Sequence, residues 1–201
     1  MRRLVDFIHT YPAVARCVEQ LNVFYSRGDY RSYMVVIFLC PLLTNLRSLT
    51  FSTFPWVTIR PIFFATVTKL KALTDLRIQT VRFMSSRDFT KFIMALSSLR
   101  HLHVSDITSV NRRSYTPPSK TRRTLPLLSL DLSTPVANLD ILSTFCVTSS
   151  NKDITYAKIF VEKTHLPTPP LEVIGNFLGG CVSLRHLELH TNIPGLTADG
   201  Q

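Results

Sequence analysis

Several residue types and patterns that mark common protein classes are scarce in this 201-residue chain. Glycine occurs only six times, and there is no G-x-S-x-G, G-x-G-x-x-G or phosphate-binding-loop pattern. The usual sequence signatures of α/β-hydrolases, dinucleotide-binding enzymes and P-loop nucleotidases are therefore missing. The cysteines are widely spaced and form no C-x-x-C pair, which argues against zinc ribbons and thioredoxin-like redox sites. We expect all of them to be reduced and buried: Cys17, Cys40, Cys146 and Cys181.

Long apolar runs are also missing. The longest stretch without a charged residue, 32–46, has 15 residues and contains Pro41, whereas a membrane-spanning helix needs roughly 20 apolar residues. At the N-terminus, Asp6 and His9 interrupt the apolar core that a secretory signal would need. We therefore expect a cytoplasmic or nuclear protein with no membrane partner.

Acidic residues are few, 13 against 23 basic ones, so the formal net charge is +10. Such an excess suggests nucleic acid or another polyanion as a partner. Half of it falls between residues 107 and 130, a stretch without acidic residues that is rich in Pro, Ser and Thr. We predict a mobile basic loop at 108–126, either a polyanion-binding site or an aid to solubility. Its cations are Arg112, Arg113, Lys120, Arg122 and Arg123.

The sequence does contain a repeat, which runs through the whole chain. Seven segments have the pattern apolar-x-x-apolar-x-apolar at intervals of 26 to 29 residues. The positions between the apolar ones are polar in every unit except at Phe24 and Phe160, which predicts strands with one buried face. In the sixth unit, Tyr156-Ile159-Val161 is the favoured register and Ile154-Ala157-Ile159 the alternative. The segments start at Val18, Leu46, Leu73, Leu99, Leu127, Tyr156 and Leu184.

Helical patterns lie between these strands. We predict a short N-terminal helix at Leu4–His9 and another that starts at Pro61 and runs through Leu70. Ser86 is the expected N-cap of the helix that follows the third strand, and Gly179-Gly180 the expected left-handed cap of the last helix. Apolar faces are predicted at Tyr33, Met34, Ile37 and Phe38; at Phe89, Phe92, Ile93 and Leu96; at Leu139, Leu142, Phe145 and Cys146; and at Leu171, Ile174, Phe177, Leu178 and Cys181.

A strand and a helix that recur at a fixed period predict one α/β solenoid domain over residues 1–201. No unit can bury its apolar strand face alone, but stacked units build one continuous core. Parallel strands would then line the concave face and helices the convex face. A doubly wound parallel sheet is the alternative, because it also alternates strands and helices, although it requires no fixed period.

The repeated segments NLRSLTF, ALTDLRI, SLRHLHV and SLRHLEL resemble leucine-rich repeats of the long, helix-bearing type. The stretches LVDFIHTYPAVARCVEQLNV, CPLLTNLRSLTF and GGCVSLRHLEL resemble the repeat regions of fungal F-box-like proteins. The resemblance covers nearly the whole chain and implies a leucine-rich-repeat horseshoe that recognises substrates for an F-box-type ubiquitin ligase. The consensus Asn or Cys after each strand is kept only at Asn192, so irregular turns are expected. No F-box is recognisable, so we expect a fragment that meets a ligase adaptor only if an F-box lies upstream.

In a repeat horseshoe, the outward strand residues line a concave surface suited to extended partners. Phe160, an aromatic residue among polar neighbours, is a candidate binding anchor, unless it packs under the last loop. The predicted partner-binding strip contains Asp75, Arg77, His101, His103, Asp131, Lys158, Phe160, His186 and Glu188.

Two chemical possibilities involve this strip. His186, Glu188 and His190 alternate along one strand and could converge on a metal, but solvated surface histidines are the simpler interpretation. Ser129, Asp131 and His103 could meet as a triad, although nothing in the sequence positions a nucleophile. We therefore predict no catalytic residue, metal or cofactor. The expected function is non-catalytic binding of a protein partner, with polyanion or nucleic-acid binding through Arg112–Arg123 as the alternative.

Overall fold

The structure, a computed structural model, describes residues 2–24, 31–53, 62–63, 65–111, 125–135, 142, 145, 151–162 and 171–192. Within these ranges, strands and helices alternate along the chain. The strands are β1 (Gln20–Phe24), β2 (Ser48–Ser52), β3 (Asp75–Ser85), β4 (His101–Asn111), β5 (Ser129–Pro135), β6 (Tyr156–Glu162) and β7 (His186–Asn192). The helices are α1 (Arg2–Thr10), α2 (Pro12–Cys17), α3 (Arg31–Leu39), α4 (Ser86–Ala95) and α5 (Leu171–Gly180). Residues 62–63, 65–67, 142 and 145 are also helical.

All seven strands form one parallel sheet in the order β1-β2-β3-β4-β5-β6-β7. Equivalent residues of successive units pair directly, so Leu49, Leu76, Leu102 and Leu130 lie side by side. This confirms the predicted α/β solenoid. The doubly wound alternative is wrong, because its strand order would reverse at a switch point.

One apolar core lies between the sheet and the helices. Leu76, Leu102 and Leu130 are almost fully buried there, and each such side chain contributes roughly 1.5–3 kcal/mol through removal from water. The predicted face of α4 is confirmed, since its members are all buried: Phe89, Phe92, Ile93 and Leu96.

The N-cap of α4 is Ser85, and the prediction of Ser86 is wrong by one residue. The Ser85 hydroxyl accepts a hydrogen bond from the Asp88 N–H at 3.3 Å and donates one to Asp88 Oδ2 at 3.0 Å. These reciprocal bonds satisfy an N–H group that the first turn leaves without a partner. Ser86 is instead the first helical residue.

The buried face of α3 also differs from the prediction. Val36, Leu39 and Cys40 are buried, whereas Phe38 is exposed and Ile37 is only half-buried. Residues 34–39 are all apolar, so hydrophobic periodicity cannot set the phase of the helix. The side chain of Tyr33 lies outside the described part of the structure.

The sixth unit takes the alternative register. Ala157 pairs with Leu130 and Ile159 with Leu132, and Ile154, Ala157 and Ile159 are buried. The favoured register, Tyr156-Ile159-Val161, is therefore wrong. Both triplets are apolar, so the pattern alone could not choose between them.

The last helix ends differently from the prediction. Gly179 and Gly180 are both helical and neither has a left-handed φ, so the predicted left-handed cap is wrong. A Cβ at Gly180 would overlap the amide of Asn151, which is buried and donates from Nδ2 to the Phe177 carbonyl at 3.1 Å. Gly180 therefore provides space for a side chain of the neighbouring unit. The predicted apolar face of α5 is otherwise confirmed by the burial of Ile174, Phe177 and Cys181.

Three successive units share a backbone kink two residues after the last apolar position of the repeat pattern, which is Phe51, Ile78 or Val104. Thr53, Thr80 and Asp106 have φ values of 57°, 51° and 51°, in the left-handed region. This conformation is uncommon for a β-branched residue. These three units therefore repeat one local backbone conformation. Beyond it, β3 and β4 resume pairing at Val81 and Ile107.

Several predictions fall partly outside the described residues. Residues 108–111 of the predicted basic loop belong to β4, whereas 112–124, with all five cations, are not among the described residues. Pro61, Leu139 and Cys146 also fall outside them, while Leu142 and Phe145 are helical and buried as predicted. The described residues include no helix that is long and apolar enough to span a bilayer.

The described cysteines are all free thiols. Cys40 and Cys181 are buried as predicted, but Cys17, at the end of α2, is exposed. The prediction is wrong there because α2 was not foreseen in the sequence. Burial raises the pKa of the Cys40 thiol to about 12, so this group stays protonated and unreactive.

Candidate functional site

The face of the sheet opposite the core, here called the open face, carries three straight rows of side chains. Because the strands pair in constant register, every second residue lies beside its equivalent in the next unit. The first row is Gln20, Ser48, Asp75, His101, Ser129, Tyr156 and His186. The middle row is Asn22, Thr50, Arg77, His103, Asp131, Lys158 and Glu188. The third row is Phe24, Ser52, Gln79, Ser105, Ser133, Phe160 and His190.

All nine residues of the predicted strip lie in these rows between β3 and β7, eight of them in the first and middle rows and Phe160 in the third. The five cations of the predicted basic loop lie outside the described residues. The structure thus assembles the predicted strip as one surface.

In the middle row, a side-chain hydrogen bond links β4 and β5. His103 Nδ1 lies 2.8 Å from Asp131 Oδ2, and each side chain is 29% exposed. An ionised carboxylate only accepts hydrogen bonds, so Nδ1–H donates and the imidazole is held in one orientation.

The carboxylate of Glu188 is the centre of a larger network on β6 and β7. Its Oε2 lies 2.9 Å from Lys158 Nζ, and its Oε1 accepts a hydrogen bond from the Tyr156 hydroxyl at 2.9 Å. The Nε2 atoms of His186 and His190 lie 3.3 and 3.5 Å from the same carboxylate. Four side chains therefore converge on one anion.

This network shifts the titration of its members. The hydrogen bonds from Lys158 and then Tyr156 lower the pKa of Glu188 to about 2, so the carboxylate stays ionised at neutral pH. The same contacts raise the pKa of Lys158, first through its hydrogen bond to Glu188 and then through the charge of that group. They also raise the pKa of Tyr156, whose hydrogen bond to Glu188 favours the neutral phenol.

Two ring pairs frame the network. Tyr156 stacks on His186 with centroids 5.2 Å apart and planes 6° from parallel. Phe160 lies beside His190, with centroids 6.4 Å apart. Phe160 is half-buried and belongs to the open face, and the final loop of the alternative prediction lies outside the described residues.

On the other side of the open face, Arg77 and His101 have no hydrogen bond or ion pair within the described residues. Two shallow grooves meet there, of about 490 and about 330 Å³, and both are lined by Asp75 and Arg77. The smaller groove continues over His101 to Tyr156. A free guanidinium thus lies between two depressions that cross the strands.

The described residues show no geometry that supports either the metal site or the catalytic triad considered from the sequence. No set of three His, Cys, Asp or Glu side chains among them is arranged to hold a metal ion. Ser129 is the first-row neighbour of His101, and no hydrogen bond joins it to His103 in the described part of the chain. The His103–Asp131 pair therefore lacks a positioned nucleophile.

Sequence reasoning missed Tyr156 and the role of Glu188 as a hub. Tyr156 was assigned to the core because the favoured register of the sixth unit was wrong. The signal that could have found it is the polar-face alignment of Tyr156, Lys158 and Phe160 with Ser129, Asp131 and Ser133.

No family model, curated protein or solved structure matches this chain. The structure itself defines the class: an α/β solenoid with a single all-parallel, seven-stranded sheet and interspersed helices, like that of leucine-rich repeats.

Proposed function

We propose that this chain is a non-catalytic recognition module that binds an extended segment of a partner protein on its open face. The observation that carries the proposal is the arrangement of polar side chains in straight rows across seven strands, where contacts between neighbouring side chains hold several of them in place. Side chains held before binding lose less conformational entropy when a partner arrives.

The charges of the face support a protein partner over a polyanion. Asp75, Asp131 and Glu188 alternate with Arg77 and Lys158, so no single sign dominates the surface. A mixed pattern selects a complementary mixed pattern and rejects partners that bring like charges together.

The most specific version of the proposal rests on the resemblance of the repeats to those of fungal F-box-like proteins. In this version, the chain belongs to the leucine-rich-repeat proteins. Its open face is then the substrate-recognition surface of an F-box-type ubiquitin ligase. Genomic sequence immediately upstream of Met1 tests this version. An in-frame F-box there would support it, and an upstream sequence with a stop codon and no F-box would reject it.

The binding proposal is tested with a triple variant, Phe160→Ala, Arg77→Ala and His103→Ala. Proteins that co-purify with wild type from matched lysates are quantified by mass spectrometry and compared with those of the variant. We expect the partners captured by the open face to fall at least tenfold in abundance, because three units lose contact groups at once.

The matched control is Lys91→Ala, Glu172→Ala and Asn176→Ala, three exposed helix positions away from the open face. It should keep the wild-type partner set. A partner set that is unchanged in the open-face variant, or lost equally in both, would reject the proposal.

A second candidate function is polyanion or nucleic-acid binding through Arg112, Arg113, Lys120, Arg122 and Arg123. It is supported by the absence of acidic residues between 107 and 130. Deletion of 112–124 should then abolish binding to a single-stranded oligonucleotide, and wild-type binding should weaken steeply with salt. Salt-independent binding, or binding that survives the deletion, would reject this function.

A further inference from the structure

A further groove, separate from the two on the open face, lies at the edge of the sheet where the strands begin. The residues just before the strands are joined by backbone hydrogen bonds into a row that we call the amino edge. A cavity of about 750 Å³ spans this edge from β4 to β7, within the size range of ligand pockets. The row consists of Glu19, Arg47, Thr74, Arg100, Leu128, Thr155 and Arg185.

Two unpaired guanidinium groups mark the ends of this amino-edge groove. Arg100 and Arg185 both line it, are exposed, and form no ion pair or side-chain hydrogen bond with any described residue. The lining includes one carboxylate, that of Asp153, so the groove has a positive balance. Unpaired arginines favour carboxylate or phosphate ligands, which they can bind through two parallel hydrogen bonds.

The surface between the two arginines is partly apolar. Pro126, Leu128 and Val182 contribute to the lining, and Val182 is 79% exposed. None of the described residues that line the groove is aromatic, whereas single-stranded nucleic acids are held largely by bases stacked on aromatic rings. The lining therefore favours an acidic peptide with an apolar side chain over a nucleic acid.

The spacing of the arginines fits an extended chain. They are three strands apart in the amino edge, which places their backbones roughly 14 Å from each other. An extended peptide covers about 13 Å in four residues, and its residues i, i+2 and i+4 point the same way. Two acidic residues four apart would reach both arginines, with the residue midway between them lying between Leu128 and Thr155.

We propose that the amino-edge groove binds an extended acidic peptide segment of the form acidic-x-apolar-x-acidic. The carboxylates pair with Arg100 and Arg185, and the apolar residue packs on Leu128, Pro126 and Val182. This site is separate from the open face, so the two can fail or succeed independently.

The test is a titration followed by amide chemical shifts, with the synthetic peptide Ser-Glu-Ser-Leu-Ser-Glu-Ser as the probe. We expect saturable shifts centred on Arg100, Leu128, Thr155 and Arg185. The Arg100→Glu, Arg185→Glu variant should bind at least tenfold more weakly, and the Arg100→Gln, Arg185→Gln variant should fall in between. Retained near-ultraviolet circular dichroism verifies that both variants are folded.

Three comparisons sharpen the result. A peptide of the same composition with adjacent glutamates should bind more weakly, because its carboxylates point to opposite sides. An oligothymidylate should also bind more weakly, and the Arg3→Glu, Lys91→Glu variant, with the same charge change elsewhere, should bind like wild type. Absence of saturable shifts, tighter binding of the oligothymidylate, or equal loss in the control variant would overturn the proposal.

Discussion

Glu188 shows how much of the open face depends on a single residue. Its carboxylate lies 2.9 Å from Lys158 Nζ and from the Tyr156 hydroxyl, and these two contacts join β6 to β7 outside the backbone ladder. Two histidines of β7 also lie within 3.5 Å of the carboxylate. The side chain is about one third exposed, so solvent screens part of this attraction.

The low pKa of Glu188, about 2 against the ordinary 4.5, makes stability depend on pH in a defined window. A carboxylate with a lowered pKa stabilises the folded state above its unfolded pKa and loses that contribution as pH falls. We expect Glu188→Gln to lower the melting temperature above pH 5 and to converge with wild type as pH falls from about 4.5 towards 2. Thermal melts followed by circular dichroism measure this difference. The exposed Glu172→Gln is the control, and an equal, pH-independent decrease in both variants would contradict the prediction.

The adjacent glycines of α5 give a second prediction for single residues. Gly180→Ala should destabilise by roughly 1–3 kcal/mol, because the new methyl group displaces the buried Asn151 amide from the Phe177 carbonyl. Gly179→Ala meets nothing within 4 Å and should stabilise by up to about 1 kcal/mol, since alanine favours helix. Urea denaturation of both variants measures the two free energies of unfolding. Equal effects would mean that the packing of Asn151 does not decide the outcome.

Single residues were also where sequence reasoning was weakest. Alternation placed Arg77, His103, Asp131 and Glu188 on one face correctly, because a strand has a period of two. It could not reveal that Glu188 would gather its neighbours, since that contact joins residues about 30 positions apart across two strands. The exposed arginines of the amino edge were missed because turns carry no hydrophobic period.

Among the elements, β4 and β7 use equivalent leucines in different surroundings. Leu102 is 1% exposed between two flanking units, whereas Leu187 and Leu189 on the terminal strand are 43% and 47% exposed. The same residue type therefore contributes unequally to the core at two points of the repeat.

This difference predicts a matched pair of mutational effects. Leu102→Ala should cost about 3 kcal/mol, since it removes buried surface and leaves a cavity, and Leu187→Ala should cost less than about 1 kcal/mol. Chemical denaturation of both variants tests the prediction. Comparable losses would imply that β7 is covered in solution as thoroughly as β4.

The helices show when an element can be predicted from sequence. In α4, polar residues separate Phe89 from Phe92, so the buried face is unambiguous. In α3, the run from Met34 to Leu39 is apolar on every side, and only the packing of Val36 and Leu39 against the core fixes the rotation. Periodicity predicts a helix face only where polar residues interrupt it.

At the scale of the whole molecule, each unit contacts mainly its two neighbours. Unfolding in such a stack starts at the least supported end. Ile8 of α1 and Ala15 of α2 are buried in the core at the end of the stack that carries β1, whereas the apolar side of β7 keeps exposed leucines.

Native-state hydrogen exchange should therefore follow the order of the units. We expect the amides of β7 to lose protection first, those of β1 next, and those of β3 and β4 last. Mass spectrometry of peptic fragments resolves these strands. Uniform protection from β1 to β7 would indicate a single cooperative unit and contradict the prediction.

The whole fold was the easiest level to predict. Seven recurrences of one pattern specify the number of strands, their parallel direction and their order, because only stacking buries every unit. The meaning of the net charge was harder to predict. The open face mixes both signs, and Arg100 and Arg185, which have no side-chain partner among the described residues, line the amino-edge groove instead.

The constant register of the sheet also limits which groups of the protein can contact a partner on the open face. At the positions that form the three rows, every strand from β2 to β6 is paired on both sides, so the peptide groups there are already committed to neighbouring strands. A segment lying along a row of the open face crosses the strands and meets side chains only. Such a segment is then recognised without hydrogen bonds to the main chain of the sheet. A substitution at a row position can change which partner is bound, while the backbone hydrogen bonds of the sheet stay the same.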